Sequence, residues 1–258
     1  MSKLLTYSDF LFETTSDIKL AYKQLTKDKF LKILSTECKN HDFNAQILYR
    51  GFGATDKYML FNPQDLKRIS RNVGNFHTLL IDNLPNWSNY PKREKAIICT
   101  NSKATANAWG NLYVIIPFDN AKLGICPAGD LADSFTEQLQ LMSLGSFNIM
   151  LHSILDIKRP DYLNIDFKTL KQLLIKININ NVDKDTLANF SWSGFFKQWL
   201  PNENLFDLIK RLFTPFHFKL CKQDKLSEFS VMLRNEIWTD SKCLVIHNSE
   251  YLNLIKNM

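Results

Sequence analysis

The chain of 258 residues is 45% hydrophobic and 22% charged, with only eight glycines and eight prolines. Such a composition buries a core and excludes a dominantly disordered, collagen-like or low-complexity chain. The formal charge of +6, from 32 Lys and Arg against 26 Asp and Glu, is too small to name a partner, because the field that matters is local.

In chain order, residues 2–13 form an amphipathic segment with Leu4, Tyr7 and Leu11 on one helical face. Thr14-Thr15-Ser16 interrupts it, and the Ser16 hydroxyl is placed to cap a second helix over about 17–34, with Ile18, Ala21, Leu25, Phe30, Ile33 and Leu34 turned inward. Strand patterns follow at 45–51 and about 57–61, and 83–91, with two prolines and several Asn, reads as turns. The apolar runs 95–100 and 112–118 read as buried strands around a short Ala-rich helix at 102–109. Helical periodicity then covers 134–155 and 166–177, with shorter helices at 195–200 and 205–213, before strands return at 216–220, 234–238 and 243–247. Strands at both ends of a helical middle predict an α+β fold with a mixed β-sheet, an N-terminal helix and a helical insertion at about 134–213. No internal repeat and no linker rich in Gly, Ser or Pro interrupts residues 14–258, which are expected to form one domain.

Cys38, Cys99, Cys126, Cys221 and Cys243 make an odd count with no Cys-x-x-Cys pair, which predicts free thiols in a reducing compartment. The longest apolar stretch, 112–118, falls far short of the ~20 residues that span a bilayer, and no secretory signal is visible. A soluble chain made in a cytoplasm, without membrane association, is expected. His41, His77, His152, His217 and His247 lack metal-ligand spacing, so no metal site is expected. Gly51-Phe52-Gly53 lacks the third glycine of a dinucleotide fingerprint, and neither a phosphate-binding Gly-x-x-x-x-Gly-Lys loop nor a Gly-x-Ser-x-Gly elbow is present. The clusters Lys67-Arg68 with Arg71, Lys92-Arg93 with Lys95, and Lys158-Arg159 read as a solvated basic face. A nucleic-acid binder using these clusters with Trp87, Tyr90 and Trp109 stays open beside that reading.

Two segments carry resemblances. Thr6-Tyr7-Ser8-Asp9-Phe10-Leu11-Phe12-Glu13 resembles the capsid-targeting peptides of internal head proteins in large myovirus-type phages, which the prohead protease cuts after the glutamate. The resemblance implies a targeting peptide at 1–13 with Glu13 as the processing site. It also implies the phage capsid and prohead protease as partners and the virion head interior as a location beside the host cytoplasm. Read by itself, the segment is an amphipathic helix that packs on the body of the protein.

The second resemblance lies in the body. Tyr49-Arg50-Gly51 ends a strand, Ile97-Ile98-Cys99-Thr100-Asn101-Ser102 is a strand running into hydroxyl residues, and Glu236 stands in Arg234-Asn235-Glu236-Ile237-Trp238. This order resembles the ADP-ribosyltransferases of the arginine–serine–glutamate type. That likeness implies the transferase fold, NAD as substrate, and transfer to a host protein or nucleic acid. It gives Arg50 the NAD phosphates, the hydroxyls of Thr100 and Ser102 the bracing of the site, and Glu236 the hydroxyl of the nicotinamide ribose. Cleaving the bond to nicotinamide leaves an oxocarbenium-like ribose, so a carboxylate beside it stabilises developing positive charge. A planar guanidinium such as that of Arg50 suits a pyrophosphate. Tyr49 or Trp238 would wall the nicotinamide. The chain departs from the family in having Thr100-Asn101-Ser102 where Ser-Thr-Ser is usual, and Arg234 where Glu or Gln often precedes the catalytic glutamate. An arginine side chain is therefore not the expected acceptor.

Each residue also has a plain reading: Arg50 as a salt-bridge partner, Glu236 as the exposed member of an alternating strand, and Thr100 and Ser102 as a helix cap. Glu137 and Glu250 are the fallback acids. The expected function is thus an NAD-dependent, phage-encoded ADP-ribosyltransferase-like protein modifying a host macromolecule. The alternative is a non-enzymatic virion or host-inhibitor protein that uses the same fold as a binding scaffold.

Overall fold

The computed structural model describes residues 21–43, 46–66, 76–139, 144–157, 165–189, 194–228 and 234–257. Among these residues nine strands, β1 (Tyr22–Gln24), β2 (Leu48–Phe52), β3 (Tyr58–Phe61), β4 (Ile97–Thr100), β5 (Asn111–Pro117), β6 (Lys122–Ile125), β7 (Lys219–Lys222), β8 (Glu236–Thr239) and β9 (Cys243–His247), form one sheet. Ten helices occur among the described residues. In chain order they are α1 (Lys27–Glu37), α2 (Phe76–Asn83), α3 (Lys103–Asn107), α4 (Leu131–Leu139), α5 (Leu144–Leu155), α6 (Phe167–Lys176), α7 (Lys184–Asn189), α8 (Gly194–Lys197), α9 (Leu205–Leu212) and α10 (Asn248–Lys256). The chain is α+β and divides into two compact units, one of residues 1–68, 90–129 and 218–258, the other of 69–89 and 130–217. The helical middle expected at about 134–213 lies in the second unit, which also takes in α2.

The first unit holds the whole sheet, in the order β1-β3-β9-β5-β2-β4-β8-β6-β7. Every pairing in it is antiparallel, which corrects the mixed sheet expected from sequence. Two of its interior strands, β5 and β9, read as continuous apolar runs because both of their faces are covered. One face carries Leu48, Phe52, Ile97, Cys99, Tyr113, Ile115, Ile237 and Val245. The other carries Val114, Ile116, Leu244 and Ile246, packed with Phe30 of α1 and Tyr251 of α10. At ~25 cal/mol per Å² of apolar surface, this two-sided burial is the main stabilising term of the unit.

Of the helix expected at 17–34, residues 17–20 lie outside the described residues, 22–24 are strand, and a helix runs from Lys27, where Thr26 caps it by accepting from the Lys29 N–H at 3.4 Å. Tyr22 is drawn instead into β1, because its ring packs between Phe52 and Phe61 with centroids 5.0 and 4.9 Å away. Residues 1–20, with the proposed targeting peptide and Glu13, lie outside the described residues. β6 escapes a sequence reading because it contains Gly124, yet that glycine is required: a Cβ there would collide with the indole of its cross-strand partner Trp238.

The second unit is built on aromatic packing. Phe135 stacks on Phe213 at 4.2 Å, Phe147 stacks on the same ring at 5.7 Å, and the Trp87 indole donates to the Phe213 carbonyl at 2.9 Å. Of the helix expected at 134–155, 134–139 fall in α4 and 144–155 in α5, and residues 140–143 lie outside the described residues. In α9, Leu205, Phe206, Leu208, Ile209 and Leu212 are buried, and the Asn204 side chain accepts from the Asp207 N–H at 2.9 Å. Much of the unusual count of 19 Phe is spent in this unit.

Candidate functional site

β2, β4 and β8 are consecutive neighbours, and their register pairs Tyr49 with Thr100 and Thr100 with Glu236. Paired residues of antiparallel strands share a face, so Tyr49, Thr100 and Glu236 stand in one row across the sheet. Thr100 is buried, and its Oγ1 accepts from the Ser102 N–H at 3.1 Å. Glu236 opens β8 with its side chain 12% exposed, and its Oε1 lies 2.8 Å from Nη1 of Arg93 and 3.8 Å from the Cys126 thiol. Because Arg93 is only 4% exposed, the pair is largely withdrawn from water, and removing Arg93 strands the Glu236 carboxylate at a cost of ~3–5 kcal/mol.

The residue before Glu236 fastens the row. The Asn235 N–H donates to Asn101 Oδ1, and its Nδ2 donates to the Cys126 carbonyl, both at 2.7 Å. The Cys126 N–H in turn donates to the Glu236 carbonyl at 2.9 Å. The start of β8 is thereby tied to the segments that leave β4 and β6.

Arg50 follows Tyr49 on β2, and neighbours along a strand alternate faces. Its side chain therefore leaves the strand on the side opposite the row, shared with its partner Tyr113 and with Phe52. It is 4% exposed, donates from Nη1 to the Ile98 carbonyl at 2.8 Å, and carries its guanidinium over the Phe52 and Trp109 rings at 5.8 and 5.6 Å. Among the described residues Tyr49–Thr100 is the one registered pair between β2 and β4, so the ladder opens beyond it and Arg50 takes up a carbonyl that β2 leaves unpaired. Gly51 makes the same region tight: a Cβ there would strike the Ala106 carbonyl oxygen and approach the Trp109–Gly110 backbone at 2.8 Å, so only glycine lets α3 lie against β2.

The remaining residues singled out from sequence are also engaged. Ser102 is the N-cap of α3, its Oγ accepting from the N–H of Thr105 at 3.2 Å and from the Thr105 hydroxyl at 2.9 Å. Trp238 shares the face of Glu236 but is fully buried, donating to the Pro91 carbonyl at 3.0 Å and stacking on Tyr90 at 6.0 Å. Tyr49 packs with the Val114, Ile116 and Ile246 cluster, where burial pushes its phenol up. Glu250 lies elsewhere, on α10, paired with Lys57 at 2.6 Å and accepting from the Tyr58 hydroxyl at 2.9 Å, and these two contacts hold its carboxyl below the usual range. It lines a cavity of about 230 Å³ with Lys27, Phe30, Tyr58, Ile246 and Asn253. Glu137 lies on α4 of the other unit.

The structure brings Tyr49, Thr100 and Glu236 together, seats Ser102 just beyond Thr100, and turns Arg50 to the other side of the sheet. Sequence reasoning missed Arg93, Asn235 and Cys126. The sequence places Arg93 on a solvated basic face, whereas it is buried beside its exposed neighbour Lys92; nothing in the cluster's composition separates the two. The stacking platform considered for nucleic acid is also corrected at Trp87, which is 1% exposed within the second unit. Residues 67–71 and 158–159 of the basic clusters lie outside the described residues.

Among the described residues, no group of three or more His, Cys, Asp or Glu is placed to hold a metal ion, and no helix is long and apolar enough to cross a membrane. No family model, curated protein or solved structure matches the chain.

Proposed function

We propose that the protein is an ADP-ribosyltransferase-like enzyme that takes NAD as substrate, with Glu236 as its catalytic carboxylate. The observation that supports this reading is the register of β4 and β8, in which the residues matching the family's hydroxyl and glutamate motifs stand directly opposite each other. In the reaction the bond between the nicotinamide nitrogen and ribose C1 breaks, and its electron pair leaves with nicotinamide, neutralising the pyridinium charge. The acceptor's nucleophile then bonds to C1 and gives up its proton. Glu236 stabilises the positive charge that develops on the ribose while accepting a hydrogen bond from the ribose hydroxyl. Thr100, buried and opposite it on β4, holds the turn into Ser102 through the Ser102 N–H. Arg50 contributes by bracing β2 against β4, the role its contact to the Ile98 carbonyl supports. The acceptor is a host macromolecule, and the likeness of Thr6–Glu13 to capsid-targeting peptides extends the proposal to packaging in the virion head. Intact-mass analysis of mature particles checks that extension: a chain beginning at Thr14 is expected, and one retaining Met1 or Ser2 contradicts it.

A second reading is favoured by a different observation. Arg50 Nη1, Ser102 Oγ and Trp238 Nε1 already bond inside the fold, as expected of a non-enzymatic virion or host-inhibitor protein built on such a scaffold. Incubation with NAD labelled in its adenylate phosphate and host lysate separates the two. The transferase reading expects label on lysate macromolecules with the wild-type chain and none with Glu236→Gln. Absence of label with both, together with intact NAD, supports the scaffold.

A further inference from the structure

We propose that Arg93 is the positioning residue of the Glu236 carboxylate, an inference that rests on the transferase reading above. Arg93 opens a single 3-10 turn, Arg93–Lys95, just before β4. The backbone entering that turn is fastened to β8 and the residue after it: the Trp238 indole donates to the Pro91 carbonyl at 3.0 Å, and the Lys92 N–H donates to Asp240 Oδ2 at 2.9 Å. The guanidinium then lies 5.1 Å from the centre of the Trp238 ring, which is itself stacked on Tyr90 and seated over Gly124. Clamped in this way, Nη1 meets Oε1 of Glu236 at 2.8 Å.

The consequence is an asymmetric carboxylate. Oε1 faces both Arg93 and the Cys126 thiol, while Oε2 has no partner among the described residues. One oxygen is anchored, and the other is left to accept from the ribose hydroxyl. The positive charge of Arg93 does not help a cationic transition state, so its benefit is geometric: a guanidinium seated on the Trp238 ring holds one carboxylate oxygen in place through a single close contact. Lysine keeps the charge and loses the planar group seated on the Trp238 ring, which makes Arg93→Lys the informative substitution.

The test is steady-state nicotinamide release from NAD by the full-length chain, comparing wild type with Arg93→Lys, Arg93→Ala, Glu236→Gln and Lys92→Ala, each first checked by thermal melting. Arg93→Lys is expected to lower kcat about tenfold and Arg93→Ala about a hundredfold, with KM for NAD changed by less than about threefold. Added guanidinium is expected to restore part of the Arg93→Ala loss, and Lys92→Ala to match wild type. Wild-type kcat in Arg93→Lys, or a loss carried by KM alone, overturns the positioning role. With Glu236→Gln inactive in that same assay, the transferase reading still stands. A wild-type chain that releases no nicotinamide removes both. Should Arg93→Ala not fold, Arg93→Lys decides alone.

Discussion

His41 lies against Tyr251, with its Nε2 3.3 Å from the phenol oxygen and Phe43 edge-on at 4.7 Å. Burial pushes its imidazole down to about 4, outweighing Asp42 and Asp119, which act in the opposite direction. Since the folded value is below the unfolded one, the unfolded chain binds more protons between about pH 4 and 6.5. Stability from this group is therefore full above pH ~6.5 and declines as pH falls toward 4, by at most about 3 kcal/mol. Urea unfolding at pH 7 and pH 4.5 checks this: His41→Gln is expected to remove that share of the pH dependence, and an unchanged slope contradicts it. Burial likewise raises the thiols of Cys38 to about 12 and Cys221 to about 11, consistent with cysteines that serve as small core hydrophobes. These individual commitments are what a sequence hides. Lys92 and Arg93 belong to one basic cluster, yet one is exposed and the other is buried against Glu236 and Trp238. Their difference comes from residues of β8, more than 140 positions along the chain.

At the scale of elements, local chemistry was more legible. Among the described residues, six helices start on a side chain that accepts from the N–H three residues on: Thr26, Ser102, Asp130, Asp166, Asp183 and Asn204. Ser102 was readable as a cap because a short Ala-rich helix follows it, and its position supports that role independently of any NAD chemistry. Ser102→Ala is expected to cost about 1 kcal/mol in chemical denaturation, with Ser102→Asp close to wild type. Nicotinamide release by Ser102→Asp within about threefold of wild type is expected from a cap alone, and a collapse of kcat in that folded variant would assign the hydroxyl to the substrate. β9 was readable over its full length, 243–247, as was most of β5, because strands covered on both faces are apolar at every position. Among the elements missed, three have a signal that is tertiary. α10 buries only Tyr251 along its length, β6 depends on the Trp238 ring over Gly124, and β1 forms because Tyr22 finds two aromatic rings.

At the scale of the molecule, the sheet unit gathers segments from three separate parts of the chain, and the helical unit gathers two. A candidate site made by β2, β4 and β8 therefore joins residues from positions 49 to 236, close only because of strand order. Motif order in the sequence suggested Arg50, Thr100, Ser102 and Glu236 as one constellation. Strand order brings the hydroxyl and the carboxylate opposite one another, and strand alternation turns Arg50 away. The charge of +6 accordingly takes on a more specific meaning, since at least two of its arginines, Arg50 and Arg93, act inside the sheet unit rather than toward solvent. The claim that most needs measurement is that Glu236 handles NAD. Nicotinamide release from NAD should be measurable with the wild-type chain and fall by at least about a hundredfold in folded Glu236→Gln. Equal release by the two chains, or none by either, would contradict it.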